Sequence, residues 1–225
     1  MNKTISVILT AAGNGSRIGA HKILMLIKGK PLIWYTLKHF SRVERVDETI
    51  VVAKQEDFEK LHSIAKDAGI SIKTVKGGSE RIISEYNGVM ASKGDFIITH
   101  DGCRPFPPKR VIENVISAVI KYPAVTVGVH PTTSIKYSTG SYIQKSLTRK
   151  YTYMGQTPQG FRRNIIINAL KKNIKKKFYI PTDDAELVAN MGIKVRIVQG
   201  DEVNIKVTHP KDVFIAEKIL EVYKA

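Results

Sequence analysis

Two cations and a carboxylate stand where glycine-rich backbone could bring them to an anionic ligand. Arg17 and Lys22 follow Ala11-Ala12-Gly13-Asn14-Gly15-Ser16, and Asp101 lies within Thr99-His100-Asp101-Gly102-Cys103-Arg104-Pro105. Gly13 and Gly15 allow backbone angles that other residues resist, and N–H groups turned inward there make a concave site for phosphate oxygens. A guanidinium and an ammonium on the same loop suit a triphosphate, whose charge they would neutralise. The dinucleotide pattern G-x-G-x-x-G fits poorly, because Gly19 comes one residue late and Arg17 occupies a place that close helix packing wants small. A Walker loop is excluded, since no G-K-S or G-K-T follows Gly15 or Gly19.

Two further stretches have the same character. Gly77-Gly78-Ser79-Glu80-Arg81 exposes backbone ahead of an expected helix N-terminus, which suits hydrogen bonding to a nucleotide. Asn204-Ile205-Lys206-Val207-Thr208 offers another cation. Ligands of open parallel sheets bind beyond the carboxyl ends of the strands, so the four stretches are expected on one rim, with Asp101 where a phosphate-bound Mg²⁺ would sit. Cys103 is the one cysteine of the chain, which rules out an intrachain disulfide and a cysteine cluster. It is expected as a small packing residue and not as a nucleophile.

The elements that must hold these residues alternate between strand and helix. The run Ile5, Val7, Ile8, Leu9 is short and β-branched, as a buried strand is. A helix opened by Pro31 runs to Phe40, a strand covers 48–53, and a helix from Phe58 ends at Gly69. A strand at 70–75, a helix at 79–92, a strand at 96–99, a helix at 110–121 and a strand at 125–129 continue the order. After an interruption come helices near 162–171 and 183–191, a strand at 195–198 and a helix at 210–223. Such alternation predicts a doubly wound α/β fold, a mostly parallel sheet with helices on both faces. The interruption, 131–150, reads as a polar β-hairpin with a turn at Ser138-Thr139-Gly140-Ser141 and no sheet to join, hence a projecting arm.

With 225 residues, 43% of them hydrophobic, the chain is expected to form one domain, 1–225. No leader and no membrane-length apolar run is visible, so a cytoplasmic location away from membranes is expected. The 36 Lys+Arg against 20 Asp+Glu leave a formal charge of +16. That excess calls for a polyanionic partner or reflects a lysine-rich composition. Nucleic acid is not the expected partner: the cations are dispersed, and no RNP-type, zinc or helix-turn-helix pattern interleaves them with aromatics. The densest run, 171–177, lies at a helix end, where cations complement the dipole and face solvent.

The stretches A-A-G-N-G-S-R-I-G, G-G-S-E-R-I-I-S, H-D-G-C-R-P, G-Q-T-P-Q-G-F, T-D-D-A and N-I-K-V-T-H-P-K-D occur in this order across nearly the whole chain. In these the chain resembles the methylerythritol phosphate and ribitol phosphate cytidylyltransferases. The resemblance implies a Rossmann-like nucleotidyltransferase fold and transfer of a cytidylyl group from CTP to a sugar-alcohol phosphate, with Mg²⁺ and release of pyrophosphate. It favours 2-C-methyl-D-erythritol 4-phosphate, and so isoprenoid biosynthesis, with ribitol 5-phosphate and a CDP-ribitol product as the alternative. By position, it implies that Arg17 and Lys22 stabilise the transition state. Thr10, Ala11, Ala12, Gly13, Gly15, Ser16, Gly78, Ser79, Arg81, Ser84 and Asp101 would surround CTP, with Asp101 on the metal. Ser134, Arg149, Thr182 and Lys206 would hold the acceptor, Arg149 reaching a neighbouring subunit from the arm of a homodimer. Two departures stand out: His21-Lys22-Ile23 replaces the family's Pro-Lys-Gln, and Gly102-Cys103 replaces a pair of alanines.

Overall fold

The computed structural model describes residues 3–13, 22–176 and 181–223. Within them the chain runs β1 (Ile5–Thr10), β2 (Leu26–Ile27), β3 (Lys30–Pro31), α1 (Leu32–Phe40), β4 (Glu48–Ala53), α2 (Phe58–Ala68), β5 (Lys73–Lys76), α3 (Arg81–Ala91) and β6 (Phe96–Asp101). It continues with α4 (Lys109–Lys121), β7 (Ala124–Val129), β8 (Ile135–Ser138), β9 (Ile143–Leu147), β10 (Met154–Arg162), α5 (Arg163–Lys176), α6 (Asp184–Ala189), β11 (Val195–Gln199) and α7 (Pro210–Tyr223). The boundaries follow local chemistry: Pro31, lacking an N–H, caps α1, and Gly69 takes the left-handed conformation (φ 77°) that closes α2.

Seven strands form one sheet in the order β11-β7-β10-β6-β1-β4-β5. The pairs β1 with β4, β1 with β6, β4 with β5 and β7 with β11 are parallel. Alternation along β1 sends Val7 and Leu9 to one face and Ile8 to the other. The first face is covered by α1, α2 and α4 through Leu37, Phe40, Leu61, Val111 and Val115. The second packs on α3, α5 and α6 through Val89, Ile166, Leu170 and Val188. A third, smaller apolar cluster joins Ile27, Leu32, Tyr35 and Phe106 to Val207 and Ala216, and so fastens the C-terminal segment to the sheet's rim. No helix among the described residues is long and apolar enough to cross a membrane.

The strand β10 is a finding that the sequence reading does not contain. It lies between β6 and β7 and is antiparallel to both. Pro158 within the run argues against a central strand, because a proline cannot donate to the ladder. The chain accommodates it by a register shift between Gln156 and Gly160 against β7, so the missing N–H falls in the irregular stretch. The expected arm is present as β8 and β9, a separate two-stranded sheet paired from Ile135 with Leu147 to Ser138 with Ile143. Its side chains are mostly exposed, Tyr142 at 87% and Ile143 at 64%.

Candidate active site

Strand order reverses at β1, with β4 and β5 on one side and β6 on the other, and the crevice of such a sheet opens at that point. Thr10 and Asp101 are register partners at the last position of β1 and β6. Backbone bonds carry the order beyond the strands: Ala11 N–H donates to Val52 O (2.7 Å), Gly77 N–H to Ala53 O (2.9 Å) and Gly102 N–H to Thr10 O (2.9 Å). The loops therefore leave the sheet side by side. A Cβ at Gly77 would lie 2.3 Å from the Ala12 Cβ, and one at Gly78 would lie 2.2 Å from Ile83 Cγ2, so only glycine permits this approach. The Ser84 hydroxyl accepts from Gly78 N–H (3.0 Å) and donates to Glu80 O (3.1 Å), which holds the glycine loop against the start of α3.

A cleft of about 360 Å³ opens there. Thr10, Ala11, Ala12, Gly13, Gly78, Ser79, Arg81, Ser84 and Asp101 all line it, with Lys22, Cys103, Lys206 and Thr208. Lys22 begins a short 3₁₀ turn, Lys22–Leu24, whose Ile23 is buried in the core, so the lysine is anchored by its neighbour. Gly15, Ser16 and Arg17 lie outside the described residues. Cys103 packs in the third apolar cluster, as expected. Burial and Asp101 push its thiol up while Lys22 beside it works the other way, so the sulfur is no ready nucleophile.

A second cavity of about 280 Å³ shares Arg81, Asp101 and Lys206 with the first and is completed by Arg104, Gln156, Thr157, Gln159, Thr182 and Asp183. Asp101 is the hinge between the two. Lys206 Nζ stands 2.9 Å and Arg104 Nε 3.3 Å from its Oδ2. Burial alone would push this carboxyl up, but Lys206 and Arg104, with Arg81 behind them, outweigh it and hold Asp101 ionised well below the usual carboxylate range. Arg104 also donates to Asn204 O (2.8 Å) and Gly155 O (3.4 Å), tying β6, β10 and the C-terminal segment together.

His100, buried behind Asp101, completes the frame. Burial lowers its pKa to about 4, so the ring is neutral near pH 7. Its Nε2 faces Arg104 O (3.1 Å), a group that can only accept, so Nε2 carries the proton and Nδ1 accepts from the Thr157 hydroxyl (2.9 Å). Thr157 Oγ1 in turn accepts from Asp101 N–H (3.1 Å). His100 is thus spent on holding the rim and not on proton transfer.

The remaining expected residues are placed unevenly. The hydroxyl of Thr182 borders the second cavity but donates to Glu186 Oε2 (2.8 Å), beside the Asp183 cap of α6. Ser134 and Arg149 lie on the arm, both exposed, and neither lines either cavity; Arg149 Nη1 donates to Thr132 O (3.1 Å). The sequence reading assigned no site role to Arg104, Gln156 or Gln159, which line the second cavity. Gln159 spans Thr126, Asp183 and Ala185 N–H, and Gln156 reaches Asp201 O. Three residues apart, the two glutamines would point to opposite faces of a regular strand, and it is the register shift between Gln156 and Gly160 that lets both border the cavity.

Comparison with known proteins agrees with this geometry. The family model for 2-C-methyl-D-erythritol 4-phosphate cytidylyltransferase matches residues 5–222. A protein of that name from Caldanaerobacter subterraneus is 36% identical, covering 96% of this chain and 98% of its own. Another, from Clostridium botulinum strain 657, is 39% identical, covering 96% and 97%. The crystal structure of 4-diphosphocytidyl-2C-methyl-D-erythritol synthase from Anaerococcus prevotii superposes with a TM-score of 0.88 at 30% identity, covering 97% of this chain and 99% of that one.

Proposed function

This chain belongs to the 2-C-methyl-D-erythritol 4-phosphate cytidylyltransferase family, and from that premise we propose that it transfers the cytidylyl group of CTP to 2-C-methyl-D-erythritol 4-phosphate, releasing pyrophosphate. The observation that carries the reading is the pair of cavities sharing Arg81, Asp101 and Lys206. One, walled by glycine-rich backbone, suits a nucleotide; the other, walled by polar side chains, suits a phosphorylated polyol. Ribitol 5-phosphate is the less favoured acceptor, because the relatives described above carry the erythritol name.

The chemistry follows from charge. An acceptor phosphate oxygen must attack the α-phosphorus of CTP although both are anionic, so the site must screen repulsion, align the attack opposite the leaving pyrophosphate and hold developing charge. Lys22 would act at the α-phosphate, and so, by its position in the family motif, would Arg17. Lys206, held by Asp101 between the cavities, would meet the acceptor phosphate. The attacking oxygen is already ionised near neutral pH, so no protein base or nucleophile is needed.

The donor set suits a Mg²⁺ carried by the triphosphate. Asp101 is an ionised carboxylate at the cleft, and among the described residues no group of three His, Cys, Asp or Glu could enclose a cation by itself. Asp101 would hold such an ion together with phosphate oxygens, and the ion would add charge neutralisation at the leaving group. The proposal includes a homodimer: an isolated two-stranded hairpin is marginal in water, and Tyr142, Ile143 and Tyr151 are bare on one protomer. It also includes a cytoplasmic enzyme whose positive charge serves anionic small molecules and not nucleic acid.

The test is a screen of CTP, ATP, GTP and UTP against both polyol phosphates, reading pyrophosphate. Release confined to CTP with 2-C-methyl-D-erythritol 4-phosphate is expected. Faster release with ribitol 5-phosphate would move the acceptor, and release independent of the base would refute the cytidylyl assignment.

A further inference from the structure

Beneath Arg81 lies a charged layer that the reaction above does not use. Glu85, one helical turn along α3, is 0% exposed, and neither of its carboxyl oxygens accepts a hydrogen bond from an N–H or hydroxyl donor among the described residues; the group within hydrogen-bond reach of it is the Asp184 carboxyl. Arg81 Nη2 stands 3.3 Å from Asp184 Oδ1 and 3.9 Å from Glu85 Oε2. Asp184, at the start of α6, is 1% exposed, and its Oδ2 accepts from the Thr99 hydroxyl (2.8 Å). Two buried carboxyl groups thus share one guanidinium, which itself borders both cavities.

Charge counting limits the states of this layer. With both carboxyls ionised, the trio would carry one net negative charge, on two buried carboxylates, beneath two sites that must receive phosphates. With one proton between them the trio is neutral and Arg81 keeps its attraction for those phosphates. Burying a second, unsolvated anion is what the interior resists most.

We propose that Glu85 and Asp184 form a carboxyl pair holding a single proton, in which Glu85 donates to Asp184, and that this pair positions Arg81 for substrate phosphate while leaving its charge available. Glu85 is accordingly a positioning residue. Burial first, then the neighbouring Asp184, pushes its carboxyl well up, against Arg81. The charged groups acting on Glu85 besides Asp184 are Arg81 on the same helix and, further off, Asp101 on β6, while Asp183 acts on Arg81. The sides of β1 and β4 facing α3 are apolar, Ile8 and Val52, and Arg163 of α5 is engaged by Val89 O and Ser92 Oγ. β5 also packs on α3, and its Lys73 is engaged by Ala91 O (2.9 Å); among the described residues Arg81 is the cation paired with either carboxyl.

The inference rests on the nucleotidyltransferase reading only for the identity of the bound anion, so its test separates the two. Infrared spectra of the full chain without ligand should contain a neutral-carboxyl band at pH 7 that fades at alkaline pH and is missing from Glu85→Gln. In Asp184→Asn the same band should vanish, because Glu85 then ionises as the sole partner of Arg81; this second variant serves if the first does not fold. Calorimetric binding of CTP should weaken by about 5-fold or more in wild type as the band fades, one net charge beside a polyanion being worth about that. Glu85→Gln should keep the neutral-pH affinity within about twofold and lose that alkaline weakening. A wild-type spectrum matching that of Glu85→Gln at pH 7, a band persisting in Asp184→Asn, or an alkaline limb unchanged in Glu85→Gln would each overturn the proposal.

Discussion

Asp101 and Arg149 are both charged groups assigned to one reaction, and the chain holds them in opposite ways. Asp101 ends a central strand and is gripped by Lys206, Arg104 and the Thr157 hydroxyl, all from its own chain. Arg149 sits in a short 3₁₀ turn on the arm, exposed, with bonds to its immediate surroundings at Thr132, His130 and Thr152. The rim of the sheet is therefore accurate by itself, whereas the arm has order without an anchor. Such a difference means that the rim's geometry is a property of the folded chain and the arm's is a property of whatever it meets.

The first way to break the comparison is to make the same substitution on each side. Arg104→Ala removes a buried cation from Asp101 and leaves two carbonyls short of a donor, so denaturant unfolding should show a loss of about 3 kcal/mol. Arg149→Ala should stay within about 0.5 kcal/mol. Equal losses would dissolve the distinction.

Lys22→Ala sharpens it within the rim. The lysine is presented by a turn pinned through Ile23, so removal should leave the fold intact and lower kcat by about 100-fold, as loss of one preorganised charge donor does. A change confined to KM for CTP would make Lys22 a ground-state contact only.

Mixing Arg149→Ala with Lys206→Ala chains tests the arm directly. Each homodimer should be nearly inactive, while exchange should restore about a quarter of wild-type activity, since half the dimers would hold one site with both cations. No recovery after demonstrated exchange would confine the site to one chain.

The smallest effect concerns pH. His39, half-buried, and His100, buried, are neutral near pH 7, with pKa values held down to about 4 by burial, below the ordinary 6.5 of the unfolded chain. Their contribution to stability is full above pH 6.5 and is lost as pH falls towards 4, because the unfolded chain takes up protons first. Thermal unfolding should follow that window, and His100→Asn should flatten it.

Much of this was legible in the sequence because the relevant physics is local. Alternating apolar runs marked the buried strands, Gly69 and Pro31 marked helix ends, and the glycine loops marked the rim. The strand β10 was not legible, since Pro158 speaks against a central strand and only the register shift opposite β7 makes room for it. The missed site residues share that cause: Gln156 and Gln159 gain their partners from β10's place in the sheet. The pairing of Asp101 with Lys206 spans half the chain, and no local pattern announces such a contact.

The route by which the arm leaves the sheet has a consequence for how readily such a protein can change. Residues 130–153 join β7 to β10, and these neighbours are paired right up to the exit, Val129 opposite Met154. The two ends of the insertion are thus already together before the arm is considered, so its length adds to the closing entropy only logarithmically, by about 0.6 kcal/mol for each doubling. The catalytic rim can keep its form while the arm is lengthened, trimmed or given a new surface. The place where protomers would recognise each other is free to vary without asking anything of the chemistry.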